Sequence, residues 1–199
     1  MILEEYLIQH DIPGIQGIDT RNLTKIIRNI GCMNGMITTT KYENLDEVMK
    51  RIHAFKVTGV VEQTTCKESY TIGTGDKRVA LLDYGAKANI AKSLVKRGCQ
   101  VTVYPASTPA SVILKEKYDG IMLSNGPGDP EENVQIIEEI KLLASSQTPI
   151  FAICLGHQLM ALAHGFKTEK MKYGHHGANH PVKDLETGRV YISLRIIIL

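Results

Sequence analysis

The chain alternates short apolar runs with stretches in which apolar residues recur at helical spacing. Four runs have the length and composition of strands: residues 78–83, 100–104, 120–124 and 149–153. The stretches between them predict helices over 87–97, 111–117 and 131–145. Because strands that alternate with helices form parallel sheets covered on both faces, we predict an α/β fold with a doubly wound, mainly parallel sheet. Beyond it, residues 182–184 and 189–192 predict a hairpin across the turn LETG.

The residues before this sheet predict a separate, smaller α/β unit of short helices and strands. Apolar side chains at helical spacing predict helices over 20–29 and 44–55. Between residues 56 and 77 the periodicity is lost in a stretch rich in Thr, Gly and Ser, which is typical of a connection between domains. We therefore predict two domains: residues 1–74, which include this connection, and residues 75–199.

Composition and charge exclude several classes of partner. The 199 residues carry a formal net charge of +2, and no basic cluster of the kind that binds a phosphate backbone is evident. Glu4 and Glu5 follow the first residue too closely for a signal peptide, and no apolar run approaches the roughly 18–20 residues that cross a bilayer. We expect a cytoplasmic protein that binds neither nucleic acid nor membrane.

Four cysteines raise the question of chemistry. Cys32, Cys66, Cys99 and Cys154 show no C-x-x-C spacing, so neither a zinc site nor a redox dithiol is indicated, and a buried small side chain is the default interpretation of each. Cys154 is the exception because it follows a buried strand and precedes a helical pattern, LGHQLMALAHG. A side chain at such a turn is directed outward, and Ala152 and Gly156 have the spacing of a nucleophile elbow in which cysteine replaces serine.

The surroundings of Cys154 also suit a nucleophile. The N terminus of the following helix stabilises an anionic sulfur. Attack on a carbonyl requires hydrogen-bond donors for the developing oxyanion, and the backbone N–H groups of Leu155 and of Gly126, in the loop NGPGDP, are the candidates. Both Cys154 and this loop follow predicted strands, so they lie at the sheet edge where ligands bind.

Several motifs resemble one family of enzymes. The sequence ICLGHQ around Cys154, together with LSNGPGDP before it, resembles the class I, or triad, glutamine amidotransferases. Three further segments narrow the resemblance to the small, glutaminase subunit of carbamoyl phosphate synthetase: GIDTRNLTKIIR, LLDYGAKANI and GHHGANHPVKD. The resemblance extends to about Ser193. It implies the class I glutamine amidotransferase fold for the sheet, with the C-terminal part missing.

The resemblance implies roles for individual residues. Cys154 matches the nucleophile that hydrolyses glutamine through a cysteinyl thioester. Leu155 and Gly126 match the backbone donors to the oxyanion and, with Gly128 and Gln158, the positions that contact bound glutamine. The implied partners are L-glutamine and a large synthetase subunit, which combines the ammonia with bicarbonate for arginine and pyrimidine synthesis. ATP and magnesium belong to that subunit, and no metal or other cofactor is expected in this one.

This sequence departs from the family in the residues that move protons. The family has a histidine and a glutamate in an H-P-E segment downstream of the cysteine, and these 199 residues contain no such segment. His180 precedes a proline, but Val182 follows it, so we do not assign it as the base. A Q-N-H-G segment and a serine that help to bind glutamine are also missing. We expect an internal fragment, or a chain that diverges and ends early, with little turnover of its own.

Four histidines offer alternative chemistry. His157, His175, His176 and His180 could supply a base, and the last three could form a metal cluster, although no acidic or cysteine partner stands at ligand spacing. The preferred interpretation is a packed loop for the last three and an exposed helical position for His157. A silent interaction protein therefore remains an alternative to the enzyme. A flavodoxin-like nucleotide binder is less supported, because no G-x-G-x-x-G or Walker pattern follows a predicted strand.

Overall fold

The computed structural model describes residues 2–172 and 179–194. The described residues fall into two compact units. One comprises residues 2–56 with the described part of 170–198, and the other comprises residues 57–169.

The second unit is built on a five-stranded sheet. Its strands are β1 (Tyr70–Ile72), β2 (Lys77–Asp83), β3 (Cys99–Pro105), β4 (Gly120–Leu123) and β5 (Ile150–Ala152). The spatial order is β1-β3-β2-β4-β5. Strand β1 pairs antiparallel to β3, whereas the pairs β2–β3, β2–β4 and β4–β5 are parallel. The predicted mainly parallel sheet is therefore confirmed.

Helices cover both faces of this sheet. The helices of the unit are α4 (Val60–Thr64), α5 (Ala88–Val95), α6 (Ala110–Lys115), α7 (Val134–Ala144) and α8 (Leu155–Ala163). Successive side chains of β2 point to opposite faces. Ala80 and Leu82 accordingly pack with residues of α6, α7 and α8, and Leu81 packs with Ala91 of α5. This double burial explains why the strands appear in the sequence as uninterrupted apolar runs.

Two predicted segments differ from the structure. The helix predicted over 131–145 begins at Val134, after a 3₁₀ turn at Pro130–Glu132 that is capped by the side chain of Asp129. Its buried face contains Ile136 rather than Val134, which is 63% exposed. The segment predicted as a connection, 56–77, contains α4 and β1, and β1 pairs with β3. The compact unit therefore starts at Val57, while the proposed domain boundary at residues 74/75 stays a prediction.

The first unit consists of helices and one hairpin. Its elements are α1 (Leu3–Gln9), α2 (Thr20–Ile30), α3 (Leu45–Ala54), β6 (Asn179–Lys183) and β7 (Val190–Leu194). Strands β6 and β7 pair antiparallel with Val182 opposite Tyr191, as the predicted hairpin requires. The Asp184 carboxylate closes the turn by accepting from the amides of Glu186 and Thr187. Within residues 2–56 the described elements are all helices, so the short strands expected there are not observed.

A charged cluster ties the amino ends of β2 and β4 together. One Asp119 carboxylate oxygen accepts from the Arg78 backbone N–H at 2.8 Å, and the other lies 3.2 Å from the Lys77 ammonium. The Arg78 guanidinium contacts the Glu116 carboxylate at 3.1 Å. The hydrogen bond from the Arg78 amide and the one from Lys77 lower the pKa of Asp119 below its ordinary value. The cluster lies at the amino ends of the parallel strands, whereas Cys154 lies at their carboxyl ends.

We predict that Asp119→Asn weakens the fold at neutral pH and has little effect in acid. The folded state depresses the pKa of Asp119, so its contribution to stability is fully present above the unfolded pKa of about 3.9. That contribution is lost as the pH falls through the lower, folded value. Urea unfolding at pH 7 and pH 3 measures the difference. Asp76→Asn, which changes a nearby carboxylate, is the matched control, and an equal loss of stability at both pH values for Asp119→Asn would contradict the prediction.

Strand β5 forms one edge of the sheet. It pairs with β4 on one side, and no strand within the described ranges pairs with its other side. The Phe151 side chain on this strand is 65% exposed. An unpaired strand edge next to a large apolar side chain favours association with another chain.

We therefore predict that the isolated chain self-associates and that Phe151→Lys weakens the association. Burial of a phenylalanine contributes about 1.5–3 kcal/mol, so its loss should raise the dissociation constant about tenfold or more. Light scattering across micromolar concentrations provides the measurement. Phe166→Lys is the control, because Phe166 is also exposed (69%) but lies outside the sheet. A strictly monomeric wild-type chain would be incompatible with this expectation.

Candidate active site

Cys154 lies at a strained turn between a strand and a helix. Strand β5 ends at Ala152 and helix α8 begins at Leu155, so Cys154 occupies the N-cap position. Its backbone has φ 50° and ψ −110°, a conformation that residues with a side chain rarely adopt. Strain of this kind persists where the surrounding structure enforces it, as at a nucleophile elbow. The bend predicted at Cys154 is present, and the thiol is half-buried there.

The turn depends on close contact between α8 and the end of β4. A Cβ at Gly156 would lie 2.7 Å from Leu123 Cβ, from the Leu123 carbonyl oxygen and from the Ser124 carbonyl oxygen. Three contacts at this distance, two of them with backbone atoms, leave no room for a side chain. The Gly156 N–H donates to the Ser124 carbonyl at 3.0 Å. A glycine two residues after Cys154 therefore allows the first turn of α8 to lie against β4.

The loop after β4 brings Gly126 to the same place. A Cβ at Gly126 would clash with the Tyr84 carbonyl and would lie 2.7 Å from Leu155 Cδ2. Gly126 is thus held between the end of β2 and the first residue of α8. In the described part of the chain, the N–H groups of Gly126 and Leu155 donate to no protein acceptor. These two free backbone amides, one of them directly after Cys154, can therefore donate hydrogen bonds to an incoming carbonyl oxygen.

Polar side chains that the sequence analysis missed hold this loop in place. The Asn125 side chain accepts from the Lys87 N–H at 3.0 Å and donates to the Gly85 carbonyl at 3.2 Å. The buried Asp83 carboxylate accepts from the amides of Gly85, Ala86 and Cys66. The signal in the sequence is a polar residue at the end of a buried strand, as Asp83, or two residues after it, as Asn125, where backbone amides of the turn need acceptors.

The structure places the other predicted site residues as follows. Gly128 is exposed with φ +91°, and a Cβ there would lie 3.2 Å from Val60 Cγ2 of α4. Gln158 is exposed one turn along α8, and its backbone N–H donates to the Cys154 carbonyl at 3.0 Å. Cys154, Leu155 and Gly126 are thus brought together, whereas Gly128 lies farther along the loop and Gln158 farther along the helix.

The histidines considered as bases are distributed as follows. His157 is exposed on α8. His175 and His176 lie outside the described residues. The backbone of His180 pairs with Ser193 in the hairpin. Within the described ranges no group of His, Cys, Asp or Glu side chains could hold a metal ion, and no helix there is long and apolar enough to cross a membrane.

The remaining cysteines have different environments. Cys32 is exposed, and Cys66 and Cys99 are half-buried. Burial raises the pKa of the Cys66 thiol, and the neighbouring Asp83 carboxylate raises it further. Cys66 is therefore protonated at neutral pH. No comparable carboxylate stands beside Cys154 among the described hydrogen bonds and ion pairs.

Comparison with known proteins identifies the family to which the chain belongs. The sequence pattern of the family "Glutamine amidotransferase class-I" matches residues 80–197. The pattern "Carbamoyl-phosphate synthase small chain, CPSase domain" matches residues 1–37. The chain therefore belongs to the class I glutamine amidotransferase family.

Its relatives are more specific. The chain is 47% identical over 191 residues to the carbamoyl phosphate synthase small chain of Clostridium perfringens, and the match covers 96% of this chain and 54% of that protein. It is 47% identical over 192 residues to the pyrimidine-specific small chain of Bacillus subtilis, with 96% and 52% covered. The small chain of Yersinia pseudotuberculosis is 44% identical over 211 residues, with 96% and 54% covered. The chain spans about half the length of the curated relatives it matches.

We predict that Cys154 is the most reactive of the four thiols. Its thiol lies at the strained turn before α8, next to two free backbone amides, whereas burial and the Asp83 carboxylate raise the pKa of the Cys66 thiol. Graded iodoacetamide labelling followed by peptide mass mapping measures the order in which the four cysteines react. Exposed Cys32 provides the reference for reactivity governed by access alone. Faster labelling of Cys32, Cys66 or Cys99 would show that the turn does not activate Cys154.

Proposed function

We propose that this chain provides the glutaminase site of a carbamoyl phosphate synthase small chain. The observation that supports this best is the strained turn at Cys154, with the free amides of Gly126 and Leu155 beside it. A nucleophile followed by paired backbone donors is the arrangement required for acyl transfer. The similarity to carbamoyl phosphate synthase small chains supports glutamine as the acyl donor.

In the proposed reaction, the Cys154 thiolate attacks the carbonyl carbon of the glutamine side-chain amide. The carbonyl oxygen becomes negative and accepts hydrogen bonds from the Gly126 and Leu155 amides. Collapse of this intermediate breaks the C–N bond, and the nitrogen takes up a proton and leaves as ammonia. Water then attacks the thioester, releases glutamate and returns the thiol. Both steps require a group that takes up and returns protons.

Two further residues are proposed to bind glutamine. Gly128 lies in the same loop as Gly126, and Gln158 lies one helical turn after Cys154 with an exposed side chain. Ammonia is proposed to pass to a large synthetase subunit, which carries the ATP and magnesium chemistry and uses bicarbonate. The product would serve arginine and pyrimidine synthesis. No cofactor is assigned to this chain.

A second candidate is a protein that keeps the fold and the surface for the large subunit without turnover. The observation that favours it is the composition of the site: these 199 residues contain no H-P-E segment. His157, the described histidine nearest in sequence to Cys154, is exposed on α8. The two candidates differ in whether Cys154 completes a catalytic cycle.

We predict that the 199-residue chain shows no glutamine hydrolysis above the level of Cys154→Ser, even with the large subunit present. A nucleophile and an oxyanion hole without a base retain about 10³–10⁴-fold over water in other hydrolases, far below an intact triad. Coupled glutamate detection at millimolar glutamine makes the comparison.

A version that carries the family's H-P-E and Q-N-H-G segments, together with its glutamine-binding serine, is the positive control and should be active. Cys154-dependent glutamate release by the 199-residue chain would show that His157, His175, His176 or His180 acts as the base. Inactivity of the extended version would instead refute the glutaminase assignment.

A further inference from the structure

The buried hydroxyl of Ser124 acts on the peptide that carries the Gly126 N–H. Ser124 directly follows β4 and is 0% exposed. Its Oγ donates to the Asn125 carbonyl oxygen at 2.7 Å and accepts from the Tyr84 N–H at 2.9 Å. The Asn125 carbonyl and the Gly126 N–H belong to the same peptide unit. The hydroxyl therefore holds one end of the unit whose other end is a proposed oxyanion donor.

Because the peptide unit is rigid, the hydrogen bond from the Ser124 hydroxyl also sets the direction of the Gly126 N–H. A trans peptide is planar, and its C=O and N–H groups point in opposite directions. The peptide bonds of the described residues are all trans, so fixing the Asn125 carbonyl also fixes the direction of the Gly126 N–H. A hydrogen bond accepted by the carbonyl polarises the peptide as well, which strengthens the N–H as a donor.

The backbone of Ser124 connects the same peptide to the nucleophile turn. Its carbonyl accepts from the Gly156 N–H at 3.0 Å, two residues after Cys154, and its own N–H donates to the Leu82 carbonyl at 3.2 Å. One residue thus contacts the turn of the nucleophile, the oxyanion loop and strand β2. A displacement of Ser124 would change the position of Cys154 relative to the Gly126 N–H.

We propose that Ser124 is a positioning residue for the oxyanion site, and that its hydroxyl directs the Gly126 N–H toward the carbonyl that Cys154 attacks. The inference rests on the proposed function, because it requires Gly126 to stabilise the oxyanion. Ser124 itself contacts no reacting atom. Its effect appears in reactions that place negative charge on a carbonyl oxygen and is absent from simple displacement by the same sulfur.

Two small alkylating agents separate these reactions in the 199-residue chain. Sulfur can add to the ketone of chloroacetone, whose oxygen then gains negative charge; the label becomes permanent when sulfur bonds to the chlorine-bearing carbon, the C–Cl bond breaks, chloride leaves and the ketone re-forms. The amide carbonyl of chloroacetamide resists addition, so sulfur displaces its chloride directly. The ratio of their labelling rates at Cys154, divided by the ratio at exposed Cys32, gives the ketone preference of the site. Neither probe requires the glutamine-binding residues. Peptide mass mapping yields all the rates from one sample.

The wild-type chain should show a ketone preference of about tenfold or more at Cys154, given that one oxyanion donor contributes about 10²–10³ in a complete enzyme. Ser124→Ala should reduce the preference about tenfold while changing the chloroacetamide rate at Cys154 less than twofold. Ser146→Ala is the matched control. The Ser146 hydroxyl also donates to one carbonyl, that of Leu143, and accepts from one amide, that of Thr148, but it precedes β5 at the opposite sheet edge.

Folding of each variant is checked by circular dichroism, because half-burial alone does not distinguish Cys66 and Cys99 from Cys154. If Ser124→Ala does not fold, Ser124→Cys replaces it, since a thiol keeps the volume but forms only weak hydrogen bonds. A folded variant that keeps the full ketone preference overturns the role of Ser124 and leaves the proposed glutaminase site intact. Absence of the preference in the wild-type chain overturns the oxyanion assignment itself.

Discussion

The contact between the first turn of α8 and the end of β4 determines the geometry of the whole site. At Gly156 the two elements approach so closely that no side chain fits, and the Gly156 amide donates to the Ser124 carbonyl. Cys154 lies next to this contact at the end of the sheet, and its backbone has a positive φ of 50°. The same contact brings Leu155 against the loop of Gly126. The proposed nucleophile and the proposed oxyanion donors therefore all depend on one close approach between backbones.

Much of the sheet could be predicted because its strands and helices have strong periodicity. The uninterrupted apolar runs arise from burial on both faces, as shown by Leu81 and Leu82 packing on opposite sides of β2. Strand β1 could not be predicted from the sequence, because its three residues are fixed by pairing with β3 and not by local composition. Ile72 is apolar, but its packing against the core that contains Val101 becomes apparent only in three dimensions.

The candidate site likewise has features that the sequence predicts and features that only the structure reveals. The turn at Cys154 and the close approaches at Gly126 and Gly156 could be predicted, because a strand-to-helix elbow demands particular residue types at fixed spacing. The catalytic roles of these residues stay predictions. The roles of Ser124, Asn125 and Asp83 could not be predicted, because their hydrogen bonds cross between strands that are distant in sequence. Leu82 pairs with Leu123 in the parallel register, so the residues that follow each strand meet at the same edge. Sequence spacing contains no information about that register.

The Asp83 carboxylate connects the candidate site to residues that precede the first parallel strand. It accepts hydrogen bonds from the backbone N–H groups of Gly85 and Ala86 in its own turn. It also accepts one from the backbone N–H of Cys66, which precedes β1. Thr65 adds a bond from its hydroxyl to the Asp83 carbonyl. A fragment that begins at residue 75 would lack the Cys66 and Thr65 donors, which hold the turn that supports the Gly126 loop. We therefore expect that residues before the first parallel strand stabilise the turn beside the candidate site.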